Sequence, residues 1–160
     1  MQIDLRQLEE GHSRLELEMP PASIGLTPED VAVEGPLRVA LDLDRRGDEI
    51  WIRGRMQLVA LQQCSRCLRD FAESLNLEFD VFCAKVRSIN AVGAKAVDAE
   101  DEGVHFHDGR VLSIDAEIRE AVILGIPMKP LCREACAGLC PRCGDDRNEG
   151  PCRCERAAAG

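Results

Sequence analysis

The first half of the chain alternates apolar and polar residues. In His12–Met19, Leu15, Leu17 and Met19 are interleaved with Arg14, Glu16 and Glu18, and Leu37, Val39, Leu41 and Leu43 repeat the pattern. A third set is Ile50, Ile52, Met56, Leu58 and Ala60, with Gly54 in the series as a candidate bulge; a fourth is Leu75, Leu77, Phe79, Val81 and Cys83. Period two over this many positions predicts half-buried antiparallel strands. Arg46-Gly47-Asp48 sits between two of them and reads as a hairpin turn.

The alternation then stops. Residues 84–102, AKVRSINAVGAKAVDAEDE, end in a small acidic run and read as a loop, about 84–103 in all. A short strand is expected around Val104–His107, followed by a helix over about 113–124. Ser113 is its expected N-cap, Asp115 and Glu117 suit the first turn, and Ile114, Ile118, Ala121 and Val122 mark one face. Gly125 and Pro127 stop it. One helix over an antiparallel sheet buries a single apolar face. The expected class is α+β, mostly antiparallel β-sheet or a partial barrel with one main helix, forming a body over residues 1–130. A Cys-rich metal-binding tail, residues 131–160, would pack on that body.

Composition sharpens the function classes. The net charge of −9 disfavours a broad grip on nucleic acid, which rests on Lys and Arg. Residues 128–160 carry six Lys or Arg against five Asp or Glu, so the body before them holds the −10. The first twenty residues contain no apolar run suited to a signal peptide or membrane span, which points to the cytoplasm. Thiols stay reduced there, so clustered cysteines read as metal ligands rather than disulfides.

Those cysteines number nine. LCREACAGLCPRCGDDRNEGPCRC, from Leu131 to Cys154, holds Cys132, Cys136, Cys140, Cys143, Cys152 and Cys154; the CSRC turn between two strands adds Cys64 and Cys67. Eight thiolates make two complete four-ligand sites, each of the kind that holds a structural zinc ion. The preferred division joins Cys64 and Cys67 with Cys132 and Cys136, leaving Cys140, Cys143, Cys152 and Cys154 as a second site. C-x3-C at 132–136 does not easily close a site without another pair. The rival division pairs the two C-x2-C turns as a zinc ribbon, and spacing does not separate the two. The same thiolates suit an iron–sulfur cluster, so a cytosolic iron–sulfur or dithiol redox/metal carrier is the alternative function. A thioredoxin-like C-x-x-C opens a helix, whereas this one lies between strands. Cys83, on the apolar face of its strand, reads as a core thiol.

An enzyme is not expected. His12, His105 and His107 sit near no nucleophile, the last two reading as a solvated strand end, and a closed four-thiolate site has no open position for water. No small-molecule substrate is implied. One basic stretch breaks the acidic average: Arg45, Arg46, Arg53, Arg55, Arg66 and Arg69 face only Asp48 and Glu49. Trp51, Arg53, Arg55, Arg66 and Arg69 are therefore a candidate narrow RNA contact, through guanidinium–phosphate bonds and stacking. A salt-bridged outer face opposed by the acidic LNLEFD strand explains the same residues.

The CSRCL turn, the EIREAVILGIPMKPLC passage and the tail motif quoted above together resemble the YceD family of bacterial and plastid proteins needed for accumulation of large-subunit ribosomal RNA. The resemblance runs from about Pro36 to Cys154. It implies a non-catalytic ribosome-biogenesis factor that supports 23S rRNA accumulation or stability in the cytoplasm. Ribosomal proteins or large-subunit assembly intermediates would be its partners. The family's C-x-x-C turn falls on Cys64 and Cys67, and its tail cysteines on the six named above.

Overall fold

A computed structural model describes residues 2–85 and 104–158. β1 (Gln2–Asp4) is followed by β2 (Gly11–Met19), a 3-10 turn at Pro21–Ile24, β3 (Val33–Arg46), β4 (Glu49–Gln63) and β5 (Asp70–Lys85). Then come β6 (Val104–His107), β7 (Val111–Ser113), α1 (Asp115–Gly125), a 3-10 turn at Arg147–Glu149 and α2 (Arg153–Ala158). Five strands form one sheet in the order β2-β3-β4-β5-β6, and β1 pairs separately with β7.

The four alternating segments of the sequence are β2 to β5, joined as antiparallel neighbours. Their apolar positions face one side, where Leu37, Leu41, Leu43, Ile50, Ile52, Met56 and Cys83 are almost wholly buried. α1 covers that side with Ile118 and Val122, preceded by the equally buried Ile114. Gly47 alone supplies the positive φ, 62°, in the two-residue turn between β3 and β4. That is the demand of a turn with glycine at its first central position.

Four expectations change. The sheet is open among the described residues and does not curl into a partial barrel: β6 pairs only with β5, in parallel, and no strand links it to β2. α1 and the β1–β7 pair help bury the apolar face, which removes the need for closure. Gly54 is not a bulge, because the register runs unbroken through Arg53↔Asp80, Gly54↔Phe79 and Arg55↔Glu78; the irregularity lies at Glu34/Arg38 instead. The Phe79 ring occupies the space a Cβ at Gly54 would need. Ser113 is not the N-cap either. It ends β7, and Ile114 takes the cap position with no side-chain bond. Ala84 and Lys85 still belong to β5, whereas residues 86–103, the rest of the expected acidic loop, lie outside the described residues.

The β4–β5 pairing runs from Glu49↔Ala84 to Gln63↔Asp70, roughly 50 Å of ladder at about 3.4 Å per residue. Its tip is the Cys64–Arg69 turn. The chain leaving α1 returns to that tip, where the Ser65 N–H donates to the Pro130 carbonyl at 2.9 Å and the Leu139 N–H to the Arg66 carbonyl at 3.0 Å.

Candidate metal centres

Two turns of the chain are built alike. In Cys64–Arg69 the Leu68 N–H donates to the Cys64 carbonyl and the Cys64 N–H to the Arg69 carbonyl, both at 2.9 Å. In Cys140–Asp145 the Gly144 N–H donates to the Cys140 carbonyl at 2.9 Å and the Cys140 N–H to the Asp145 carbonyl at 2.8 Å. The residue after the second cysteine is left-handed in both, Gly144 at φ 76° and Leu68 at φ 59°. Leu68 is the single non-glycine with positive φ among the described residues. The turn geometry demands that conformation, and at Leu68 it is met at the expense of strain.

Each turn points its sulfurs at a second pair. The Sγ atoms of Cys64, Cys67, Cys132 and Cys136 all lie within 4.8 Å of one another, as do those of Cys140, Cys143, Cys152 and Cys154. In the first group Cys64 and Cys136 are 3.8 Å apart and Cys67 and Cys132 3.7 Å. A tetrahedral ion with metal–sulfur bonds of about 2.3 Å spaces its ligands by about 3.8 Å, so this sulfur set is sized for one ion. The ribbon-like pairing of the two C-x2-C turns with each other is not formed. Cys83 stands apart, fully buried under α1.

The first cysteine of each turn is electrostatically favoured as a thiolate. Cys64 is lowered to about 6, chiefly by the Cys132 N–H and further by those of Cys67 and Arg66; Cys140 is lowered to about 6 by the N–H groups of Arg142 and Cys143. Cys132 and Cys154 are pushed up to about 12, Cys132 by burial before its sulfur neighbours, Cys154 by Cys143 before burial. Four sulfurs packed this closely resist further negative charge, which a cation at their centre would neutralise.

The two groups share a bolt. Asn148 lies in the loop between the halves of the second group, yet its Nδ2 donates to Cys136 Sγ of the first at 3.4 Å. Its Oδ1 accepts from the Ala137 N–H at 2.9 Å and from Arg133 Nη2 at 2.6 Å. Asp146 Oδ1 accepts from the Asn148 N–H at 2.8 Å and from Nδ2 at 2.6 Å. Asp145 fixes the other end, accepting from the Arg153 N–H at 2.9 Å and Nε at 3.0 Å between Cys152 and Cys154. Neither Asn148 nor Asp146 could be singled out from sequence. Their spacing from the cysteines matches no ligand pattern, and their role exists only once the tail has folded back.

The candidate RNA-contact residues divide in two. Trp51, 54% exposed, stacks obliquely on Phe82 with ring centroids 4.4 Å apart; on the same outer face Arg53 pairs with Asp80 at 3.3 Å and Arg55 with Asp42 at 2.8 Å. Arg66 and Arg69 instead hold the tail. Arg66 Nη1 donates to the Cys136 carbonyl at 2.9 Å, and Arg69 pairs with Asp146 at 3.2 Å. The histidines are not a solvated pair. His107 is buried, its Nδ1 accepting from the Gly109 N–H at 3.0 Å, so Nε2 carries the proton toward the Asp48 carbonyl, 3.2 Å away. His105 contacts Glu117 on α1.

Both sulfur groups and the turn that begins the first lie inside one matched region. The model of the family described as large ribosomal RNA subunit accumulation protein YceD matches residues 52–159. The chain belongs to the YceD family. An uncharacterized protein of Mycobacterium tuberculosis is 31% identical over 129 residues, 78% of this chain and 58% of that protein. One from Mycobacterium leprae is 26% identical over 123 residues, 77% and 54% respectively. A YceD relative of Arabidopsis thaliana, named large ribosomal RNA subunit accumulation protein YCED homolog 1, chloroplastic, is 25% identical over 142 residues, 76% and 44%. The chain spans about half the length of these curated relatives. No solved structure matches it. Among its described residues no helix is long and apolar enough to cross a membrane.

Proposed function

We propose that this YceD-family chain is a non-catalytic ribosome-biogenesis factor that supports accumulation of large-subunit, 23S ribosomal RNA in the cytoplasm. Two structural zinc ions would be held by Cys64, Cys67, Cys132 and Cys136 and by Cys140, Cys143, Cys152 and Cys154. The observation that carries this reading is the family match over 52–159, which spans both sulfur groups. Zinc suits the donor set: four thiolates around one ion close the coordination shell, which favours folding over catalysis. An iron–sulfur cluster spreads its four thiolates over two or more irons, and so fits sulfurs this close less well than a single ion. The metal would fasten the tail, residues 131–160, to the tip of the β4–β5 hairpin.

The partners would be ribosomal proteins or large-subunit assembly intermediates, drawn by the acidic body. Direct RNA contact would be narrow. Trp51 with Phe82 gives a stacking surface, flanked by Arg53 and Arg55, whose exposed carboxylate pairs are weak enough to exchange for phosphate; Arg66 and Arg69 border the docked tail. The test is a deletion strain in the native host, complemented with wild type or Cys64→Ser. The reading expects a reduced ratio of large- to small-subunit rRNA, restored by wild type only. An unchanged ratio on deletion overturns it. Purified protein that is brown, with iron and sulfide, would favour the redox-carrier alternative.

A further inference from the structure

The five-stranded sheet ends unevenly. β5 pairs with β4 from Asp70 to Ala84, but β6 covers its other side only from Phe82 to Lys85. Among the described residues the edge from Asp70 to Val81 has no neighbouring strand. Such an edge presents alternate backbone N–H and C=O groups to whatever approaches it. α1 runs beside this edge, and the two bound a groove of about 790 Å³ lined by Asn76–Val81 and by helix residues including Glu117, Glu120 and Leu124.

The groove is apolar below and acidic around. Leu77 and Phe79 are only half-buried, and Leu124 is 76% exposed at the rim. Glu78 and Glu120 are exposed and make no ion pair among the described residues. Glu117 meets His105 through Oε1, while its buried Oε2 has no hydrogen-bond partner. A buried carboxylate oxygen left unmet is unfavourable, and a donor arriving from outside would relieve it. The sheet's opposite edge differs: β2 satisfies its charges locally, Arg14 with Glu16 and Glu18 with Arg38, each at 2.9 Å.

We propose that this groove binds an extended basic segment of a partner protein, added as a strand along the open edge of β5. Backbone hydrogen bonds to Asn76–Val81 would give affinity, and alternate side chains would give selectivity. One set lies toward Leu77 and Leu124 and calls for apolar residues. The other passes the outer face at Glu78 and calls for Lys or Arg, while Glu117 and Glu120 line the helix side of the groove and add to its negative field. The inference rests on the ribosome-biogenesis reading for the source of that segment, a basic ribosomal protein, and on the groove alone for its chemistry.

The probe is a fluorescent nine-residue peptide of alternating valine and lysine, titrated into the metal-loaded full chain. Controls are a peptide of the same composition with its lysines in one block, and the alternating peptide N-methylated at every second residue. The alternating peptide should bind, and amide exchange should slow at residues 76–81. Glu78→Lys/Glu120→Lys, both at exposed positions, should weaken it at least tenfold while melting like wild type; N-methylation should abolish binding. Equal affinity in the double variant, equal binding of either control, or protection elsewhere overturns the proposal. Co-sedimentation with large-subunit particles separates the two readings. If wild type co-sediments without binding the peptide, the groove is wrong and the biogenesis reading stands. If the peptide binds and deletion of the gene leaves large-subunit rRNA unchanged, the groove stands and the biogenesis reading fails.

Discussion

Leu68 occupies the position that Gly144 occupies in the twin turn, and replacing it with glycine should stabilise the protein. A left-handed conformation costs a residue with a Cβ roughly 1–2 kcal/mol. Leu68 holds it at φ 59° while 56% exposed, so little burial is lost on truncation. Against this, glycine adds about 0.4–1 kcal/mol of unfolded-chain entropy. The net for Leu68→Gly is a gain of about 1 kcal/mol, or roughly 2–4 °C in Tm for a domain of this size. Gly144→Ala is the mirror experiment. At φ 76° with open space around the added methyl, it meets strain without a clash and, net of the same entropy difference, should lose about 1 kcal/mol. Both variants keep all eight clustered cysteines, so thermal and denaturant unfolding should be measured on protein of equal metal content. A fall in Tm for Leu68→Gly, or no loss for Gly144→Ala, would refute the claim that the two turns share one strained geometry.

Asn148→Ala removes the donor to Cys136, and loss of such a supporting bond typically costs about 10–100-fold in metal affinity; chelator competition should show one of two ions leaving sooner, and cobalt-loaded protein should show a shifted thiolate charge-transfer band. Gly54→Ala drives a methyl into the Phe79 ring and should destabilise by about 1–3 kcal/mol in denaturant titration, with Gly54→Ala/Phe79→Leu recovering part of the loss. Burial, and then the Glu117 charge, push the Cys83 thiol up to about 12 from an ordinary 9.0. Its contribution is therefore full below pH 9 and lost as pH rises toward 12, because the unfolded thiol ionises first. Wild type should lose stability across that window faster than Cys83→Ala, which starts lower by roughly 1 kcal/mol.

The strands of the long ladder were legible because one face is buried and period two is then obligatory: Leu37 to Leu43 and Ile50 to Ala60 could be placed on their inner face from the pattern alone. The division of eight thiolates was legible only as a preference, since either pairing satisfies the count. Folding the Pro130 passage back onto the Ser65 N–H is what brings Cys132 and Cys136 to Cys64 and Cys67. Closure, parallel pairing of β6 and the capping of α1 depend on long-range packing that no local pattern encodes. Ser113 looks like a cap in sequence, but its backbone is already committed to β1 through Gln2. His107 looks exposed until the β3–β4 turn places the Asp48 carbonyl against it. Arg66 suits phosphate by its chemistry, and in the fold it grips the Cys136 carbonyl, a contact set by which surface the tail covers.

In the proposed function, two four-cysteine centres each hold one ion and bind the tail to the body. X-ray absorption at the metal edge, together with elemental analysis of freshly purified protein, tests it most directly. Two zinc ions per chain are expected, each with four sulfurs at about 2.3 Å and no nitrogen or oxygen neighbour. A single ion per chain, a light-atom ligand at either centre, or short iron–iron distances would contradict it.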